Sequence, residues 1–293
     1  LKIAFVGDSF CAHHGPGTPV GEDFELGLEL SKKYGLDIGQ NNVIPDDFDQ
    51  YDWPDLVARH FNAEPTYCGF MGWSFIQTFN HYMNITKDED IIVFCVTEPS
   101  RTTNKHHLPL NLHFETIVQT DTPKGKWQLE YTARGPDKVK HKGLTQEKIK
   151  EIAKVSMYYR DNILDNDCNA AMHMCCIDYV DQMMVEKNKK CIWFNSFTEF
   201  KHPWIKPFKP RSGPLAIEPL ARFSEDLGKK WTNIRNHYTK ENNIGLSNLV
   251  IDMIKNDKFK DIGSFELKDF LHIDDNVKNM DEFYGHDNAF IYP

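Results

Sequence analysis

Two short stretches at opposite ends of this chain carry the residue types that nucleophilic chemistry needs. Near the start, Gly7-Asp8-Ser9 follows an apolar run, and near the end stands Asp269-Phe270-Leu271-His272. A serine hydroxyl is a poor nucleophile at neutral pH until a base takes its proton, and the base needs a third group to hold its tautomer. An Asp three residues before a His, in a loop entering a helix, can fold back so that its carboxylate accepts from Nδ1 while Nε2 faces the serine. The same four residues also fit a plain helix start, with Asp269 as its cap, and Asp8-Ser9 also fits a pair that only caps a following helix. A second histidine, His286 in Tyr284-Gly285-His286-Asp287-Asn288, is a rival base, although only Asp281 precedes it at any suitable spacing.

These residues need elements that bring the two ends of the chain together. Ile3, Ala4, Phe5 and Val6 form an unbroken apolar run, the pattern of a strand covered on both faces, and such strands belong to parallel sheets. In open α/β sheets the ligand site lies beyond the carboxyl ends of the strands, the position of Gly7, Asp8 and Ser9. Pro65–Cys68, Asp90–Val96 and Lys190–Ser196 read as three more strands. Between them, helices are expected over Glu25–Tyr34, Trp53–Phe61, Phe75–Met83, Thr145–Ile163, Asn169–Lys187 and Leu246–Ile254, with a last one in Phe270–Phe283. The alternation predicts an α/β fold, a three-layer α/β/α sandwich with a mostly parallel, flavodoxin-like sheet. The ends of its strands would bring the loops at Ser9, Gly72, Thr97 and Asn195 to one crevice.

Expected inward positions are Leu56, Val57, His60 and Phe61 in the second helix, and Ile149, Ile152, Tyr159 and Ile163 behind an N-cap at Thr145. Met172, Cys175, Cys176, Tyr179 and Met183 form a further stripe that reads as core rather than as a metal or cofactor site. No linker divides the 293 residues, so a single domain is expected, with insertions at 102–144, read as a hairpin around Trp127–Thr132, and at 197–245.

Composition narrows the partners. A formal net charge of -9 argues against a nucleic-acid partner. The seven cysteines are scattered without a C-x-x-C pair, and Cys11, Cys68, Cys95, Cys175, Cys176 and Cys191 sit in or beside apolar segments. They read as buried free thiols of a reducing compartment. No apolar run is long enough to cross a bilayer, and the charged, strand-forming start is unlike a signal peptide, so no membrane association is expected and the expected location is cytoplasmic or a virion. His13, His14, His106, His107 and His113 lack the i, i+4 spacing and acidic partner of a helical zinc site, and Gly15-Pro16-Gly17 lacks the spacing of a phosphate loop. No metal and no cofactor are expected.

Gly7-Asp8-Ser9 after the first strand and Asp269-x-x-His272 near the end resemble the first and last blocks of the SGNH/GDSL hydrolases, a family of serine esterases and lipases. Gly69-Phe70-Met71-Gly72 after the second strand resembles the second block, with Gly72 the better match. The third block departs: where the family has Gly-x-Asn-Asp, this chain has Cys95-Val96-Thr97-Glu98, a hydroxyl in place of a carboxamide donor. The residue after His272 is Ile273, where the family often has proline or leucine. The Lys-, Asn- and aromatic-rich text is also similar to SGNH-type proteins encoded by bacteriophages.

The resemblance implies a serine ester hydrolase with Ser9 as nucleophile, His272 as base and Asp269 as its orienting carboxylate. The backbone N–H groups of Ser9 and Gly72, with Thr97, would serve the oxyanion, and Asn104 or Asn195 stand as substitutes for the missing amide. The chain is polar and has no long apolar lid. The expected partner is therefore a small acyl ester, an O-acetyl group on a carbohydrate, with Trp73 and Trp204 against sugar rings. The other expectation is a glycan-binding or structural protein with virion partners, one that keeps the fold and has an impaired site.

Overall fold

The computed structural model describes residues 1–12, 20–36, 52–69, 73–85, 88–97, 117–119, 121–134, 144–196, 208–223, 238–259 and 263–272. Six parallel strands are β1 (Lys2–Gly7), β2 (Glu64–Gly69), β3 (Ile91–Val96), β4 (Lys190–Asn195), β5 (Leu215–Ala216) and β6 (Ser264–Phe265), in the spatial order β2-β1-β3-β4-β5-β6. Among the described residues seven α-helices accompany them: α1 (Val20–Tyr34), α2 (Trp53–His60), α3 (Phe75–Ile85), α4 (Pro123–Arg134), α5 (Gln146–Asn162), α6 (Asn166–Glu186) and α7 (Lys240–Lys255).

The sheet is covered on both faces because alternate residues of each strand point to opposite sides. Ile3 and Phe5 of β1, Ile91, Val93 and Cys95 of β3, and Ile192 and Phe194 of β4 pack with Trp53 and Val57 of α2 and with Leu246, Leu249, Val250 and Met253 of α7. Ala4, Val6, Ile92, Phe94, Val96 and Trp193 pack on the other face with Phe75, Phe79 and Tyr82 of α3 and with Met174, Ile177, Val180 and Met184 of α6. This is the expected three-layer sandwich. Phe94 and Trp193 stack across the β3–β4 pair with ring centroids 4.2 Å apart.

Three returns from helix to strand or loop use the same device. Asn62, Asn188 and Asp257 have φ of 46°, 51° and 48°, the left-handed conformation that ends a helix and that Asn and Asp tolerate best after glycine. Thr145, Asp165 and Thr239 cap α5, α6 and α7, each accepting a backbone N–H three residues on.

Several expectations are corrected. Residues 123–134 form α4, not a hairpin; Ile117 and Leu129 pack with Ile149, Ile152 and Ala153 of α5, and Trp127 Nε1 donates to the Gly27 carbonyl of α1 at 3.2 Å. The apparent alternation around Trp127–Thr132 is the aromatic pair Trp127–Tyr131, stacked at helical i, i+4 spacing with centroids 4.8 Å apart. Residues 197–245 supply β5 and the first turn of α7 to the sandwich. His60, Tyr159 and Ile163 are exposed; α5 instead buries Ala153 and Ser156.

On α6 the inward stripe is displaced by one residue. Met172 and Tyr179 are 62% and 67% exposed, and Cys175 is exposed, whereas Ala170, His173, Met174, Ile177, Val180, Asp181 and Met184 are buried. Apolar residues lie on more than one side of this helix, so its spacing alone offers two stripes, and the one through Met174, Ile177, Val180 and Met184 packs. The buried thiols are Cys11, Cys68, Cys95 and Cys191. Among the described residues no helix is long and apolar enough to cross a membrane.

Candidate active site

β1 leads to β2 on one side while β3 lies on its other side, so the chain reverses its direction of winding between β1 and β3. In doubly wound sheets the crevice beyond such a switch point is where ligands bind. Ser9 follows β1 there and Thr97 follows β3.

Ser9 opens a one-turn 3-10 helix, Ser9–Cys11, capped by Asp8. The buried Asp8 carboxylate accepts from the Phe10 N–H at 3.0 Å, and the Cys11 N–H donates to the Asp8 carbonyl at 3.2 Å. Two glycines let this turn sit so low on the sheet. A Cβ at Gly7 would lie 2.4 Å from the Cys95 carbonyl oxygen, and one at Gly69 would lie 2.4 Å from the Cys11 carbonyl oxygen. Gly7 and Gly69 are register partners at the ends of β1 and β2. Gly69 therefore admits the Ser9 turn, whereas the sequence pattern had favoured Gly72, which lies outside the described residues.

Under the turn, the Cys11 and Cys95 thiols are fully buried and hydrogen-bonded to each other; burial pushes both thiols up, so they stay protonated at neutral pH. Ser9 is buried, at 7% exposure.

Thr97 is fully buried, and His173 of α6 makes a hydrogen bond to its backbone. His173 packs against Phe75, ring centroids 6.3 Å apart, and burial holds its pKa down to about 4. A neutral imidazole thus braces the β3 end of the crevice. Asn195 is buried at the end of β4. Trp73 is half-buried, edge-on to His81 at 5.9 Å. Trp204, Asn104, His286 and the histidines at 13, 14, 106, 107 and 113 lie outside the described residues.

The other expected members of the site come from the loop after β6. Asp269 ends a one-turn 3-10 helix, Leu267–Asp269, whose Leu267 N–H is held by Glu218 at 2.6 Å. Both Asp269 and His272 are exposed. Among the described residues, the hydrogen bonds of His272 are those of its backbone, and none joins it to Asp269.

Those backbone bonds come from α7. Asn242 Oδ1 accepts from the His272 N–H at 2.9 Å, and its Nδ2 donates to the His272 carbonyl at 3.0 Å. The next residue, Asn243, accepts from the Trp53 N–H at 3.2 Å, and Trp53 Nε1 donates to the Phe10 carbonyl at 2.7 Å. Phe10 also meets Tyr238 at 5.6 Å between rings. The structure thereby ties the Ser9 turn and the His272 loop to one end of α7. Asn242, Asn243, Trp53 and His173 all went unassigned in the sequence. The pair did carry a signal: Asn242, Asn243, Leu246, Leu249, Val250 and Met253 fall on one helical face.

Comparison with family models, curated proteins and solved structures returned no match for this chain. No group of three or more His, Cys, Asp or Glu side chains suited to a metal ion occurs among the described residues.

Proposed function

We propose that the chain is a serine ester hydrolase of the SGNH type, acting on small acyl esters such as O-acetyl groups carried by a carbohydrate. The observation that carries this reading is the place of Gly7-Asp8-Ser9: it ends β1 at the β1/β3 switch point, with the serine heading a turn locked by Asp8. In the proposed reaction Ser9 Oγ attacks the ester carbonyl while His272 accepts the hydroxyl proton. The tetrahedral oxyanion is met by the N–H groups of Ser9 and Gly72 and by Thr97. Collapse expels the carbohydrate alkoxide, which takes the proton from His272, and leaves an acyl-serine. Water, deprotonated by His272, then releases acetate and restores Ser9. Asp269 orients the imidazole, and Trp73 and Trp204 offer faces to the sugar.

A second reading is a glycan-binding or structural protein, such as a component of a virus particle, with a weak or inactive site. It is favoured by the exposed Asp269 and His272 side chains, which share no hydrogen bond, and by Thr97 in the place of a carboxamide. Acetate release separates the two. Incubation with p-nitrophenyl acetate and with an O-acetylated polysaccharide is expected to release acetate catalytically in the parent and not in Ser9→Ala. Binding of the polysaccharide without acetate release would support the second reading instead.

A further inference from the structure

Resting on the hydrolase reading, we propose that Asn242 is the positioning residue for the His272 base, and that α7 is the common mount of nucleophile and base. Asn242 is only 3% exposed, although it lies in the first turn of a helix, where polar side chains usually face water. Its carboxamide makes three bonds. Oδ1 accepts from the His272 N–H at 2.9 Å, and Nδ2 donates to the carbonyls of His272 and Phe223, each at 3.0 Å. Gripping both backbone groups of one residue copies a strand pairing, and it fixes the two peptide planes that flank the Cα from which the imidazole projects.

No other side chain of that size supplies this pattern. Aspartate keeps the acceptor and loses both donations, and leucine loses all three bonds. Asn243 is the complementary half. Consecutive helical residues point about 100° apart, so while Asn242 faces His272, Asn243 faces Trp53. There it accepts from the Trp53 N–H and donates to the carbonyls of Tyr238 and Thr239 at 3.3 and 3.1 Å. Trp53 in turn holds the Phe10 carbonyl beside Ser9. Gly245 closes the mount: a Cβ there would lie 2.6 Å from the Phe270 carbonyl oxygen, so its absence lets α7 lie directly against the segment that leads into His272. Misplacement of a catalytic group by about 1 Å can cost roughly a hundredfold in rate.

The test uses the full chain and the rate of fluorophosphonate modification of Ser9 in the parent, Asn242→Ala, Asn242→Asp, His272→Ala and the double variant Asn242→Ala/His272→Ala. Asn242→Ala is expected to slow labelling by about a hundredfold. The double variant is expected to label no more slowly than His272→Ala alone, because the two residues act as one unit. A purely structural role would instead multiply the two losses, and that result would overturn the proposal, as would labelling at the parent rate by folded Asn242→Ala. If circular dichroism shows that Asn242→Ala does not fold, Asn242→Asp carries the same comparison, losing both donations while keeping the shape. Labelling of the parent that is indifferent to His272→Ala, or absent from Ser9, would overturn the hydrolase reading and with it this role. Loss with His272→Ala but not with folded Asn242 variants would overturn the role of Asn242 alone.

Discussion

The turn that carries Ser9 and the loop that carries His272 are held by different means. Around Ser9 the restraint is close packing: Gly7 and Gly69 leave room for backbone against backbone, the Cys11 and Cys95 thiols lie underneath, and Asp8 caps the turn from within. Around His272 itself the restraint is chiefly polar, a buried carboxamide gripping the backbone while the ring stays exposed. A packed turn tolerates no added atom, whereas a loop held by two side-chain hydrogen bonds to its backbone should tolerate substitution of its side chains and fail when the carboxamide is removed. The Ser9 turn is thus fixed by packing, and the His272 segment is fixed at its backbone while its ring stays exposed.

The largest expected effect breaks the polar half. His272→Ala should lower turnover on an acetyl ester by about three to four orders of magnitude, and Asp269→Asn by less, because the orienting carboxylate is the more dispensable partner. Steady-state kinetics of the two variants check this order; a silent His286→Ala beside an active His272→Ala would reverse the assignment of the base. Next comes the oxyanion side. Thr97→Val removes one hydroxyl from a fully buried site at nearly constant volume and should lower turnover on the order of a hundredfold with KM little changed. Parent-like turnover in Thr97→Val would remove that hydroxyl from the transition state.

The packed half is tested by stability. Gly69→Ala brings a Cβ to 2.4 Å from the Cys11 carbonyl and should cost about 1–3 kcal/mol, seen as a lower Tm and slower Ser9 labelling. Gly245→Ala should cost less, since a better helix former offsets part of the clash with the Phe270 carbonyl. Equal losses would mean that both loops are held by packing.

A further effect is a pH dependence from His173. Its folded pKa is held down to about 4 by burial, against about 6.5 when unfolded. Above about pH 6.5 the imidazole is neutral in both states and adds no pH dependence. Between about 6.5 and 4 the unfolded chain binds a proton that the folded chain refuses, so stability falls as pH falls. Thermal melts of the parent should therefore lose more between pH 7 and 4 than those of His173→Gln. Parallel melting curves would show that His173 does not resist protonation.

Much of the sandwich was legible because three of its four long strands, β1, β3 and β4, are apolar runs with helices between the strands. The strands β5 and β6 were not, since two residues each give no run to read. The α6 register failed for a different reason: with apolar side chains on most of its circumference, helical spacing does not choose a face. Of the proposed site, the sequence offered only the residues whose type carries chemistry, Ser9, Asp269 and His272. The residues that hold it were not legible, because Asn242 and Asn243 read as ordinary surface amides until the chain that folds onto them is known, and Gly69 matters only through the backbone of Cys11.

The most direct test of the central claim is mass mapping of the chain after treatment with a fluorophosphonate. A single covalent adduct on the peptide that contains Ser9, absent in Ser9→Ala and slowed in His272→Ala, is the expected result. An adduct at Ser74 or elsewhere, or no adduct in a folded chain, would contradict a nucleophile at the end of β1.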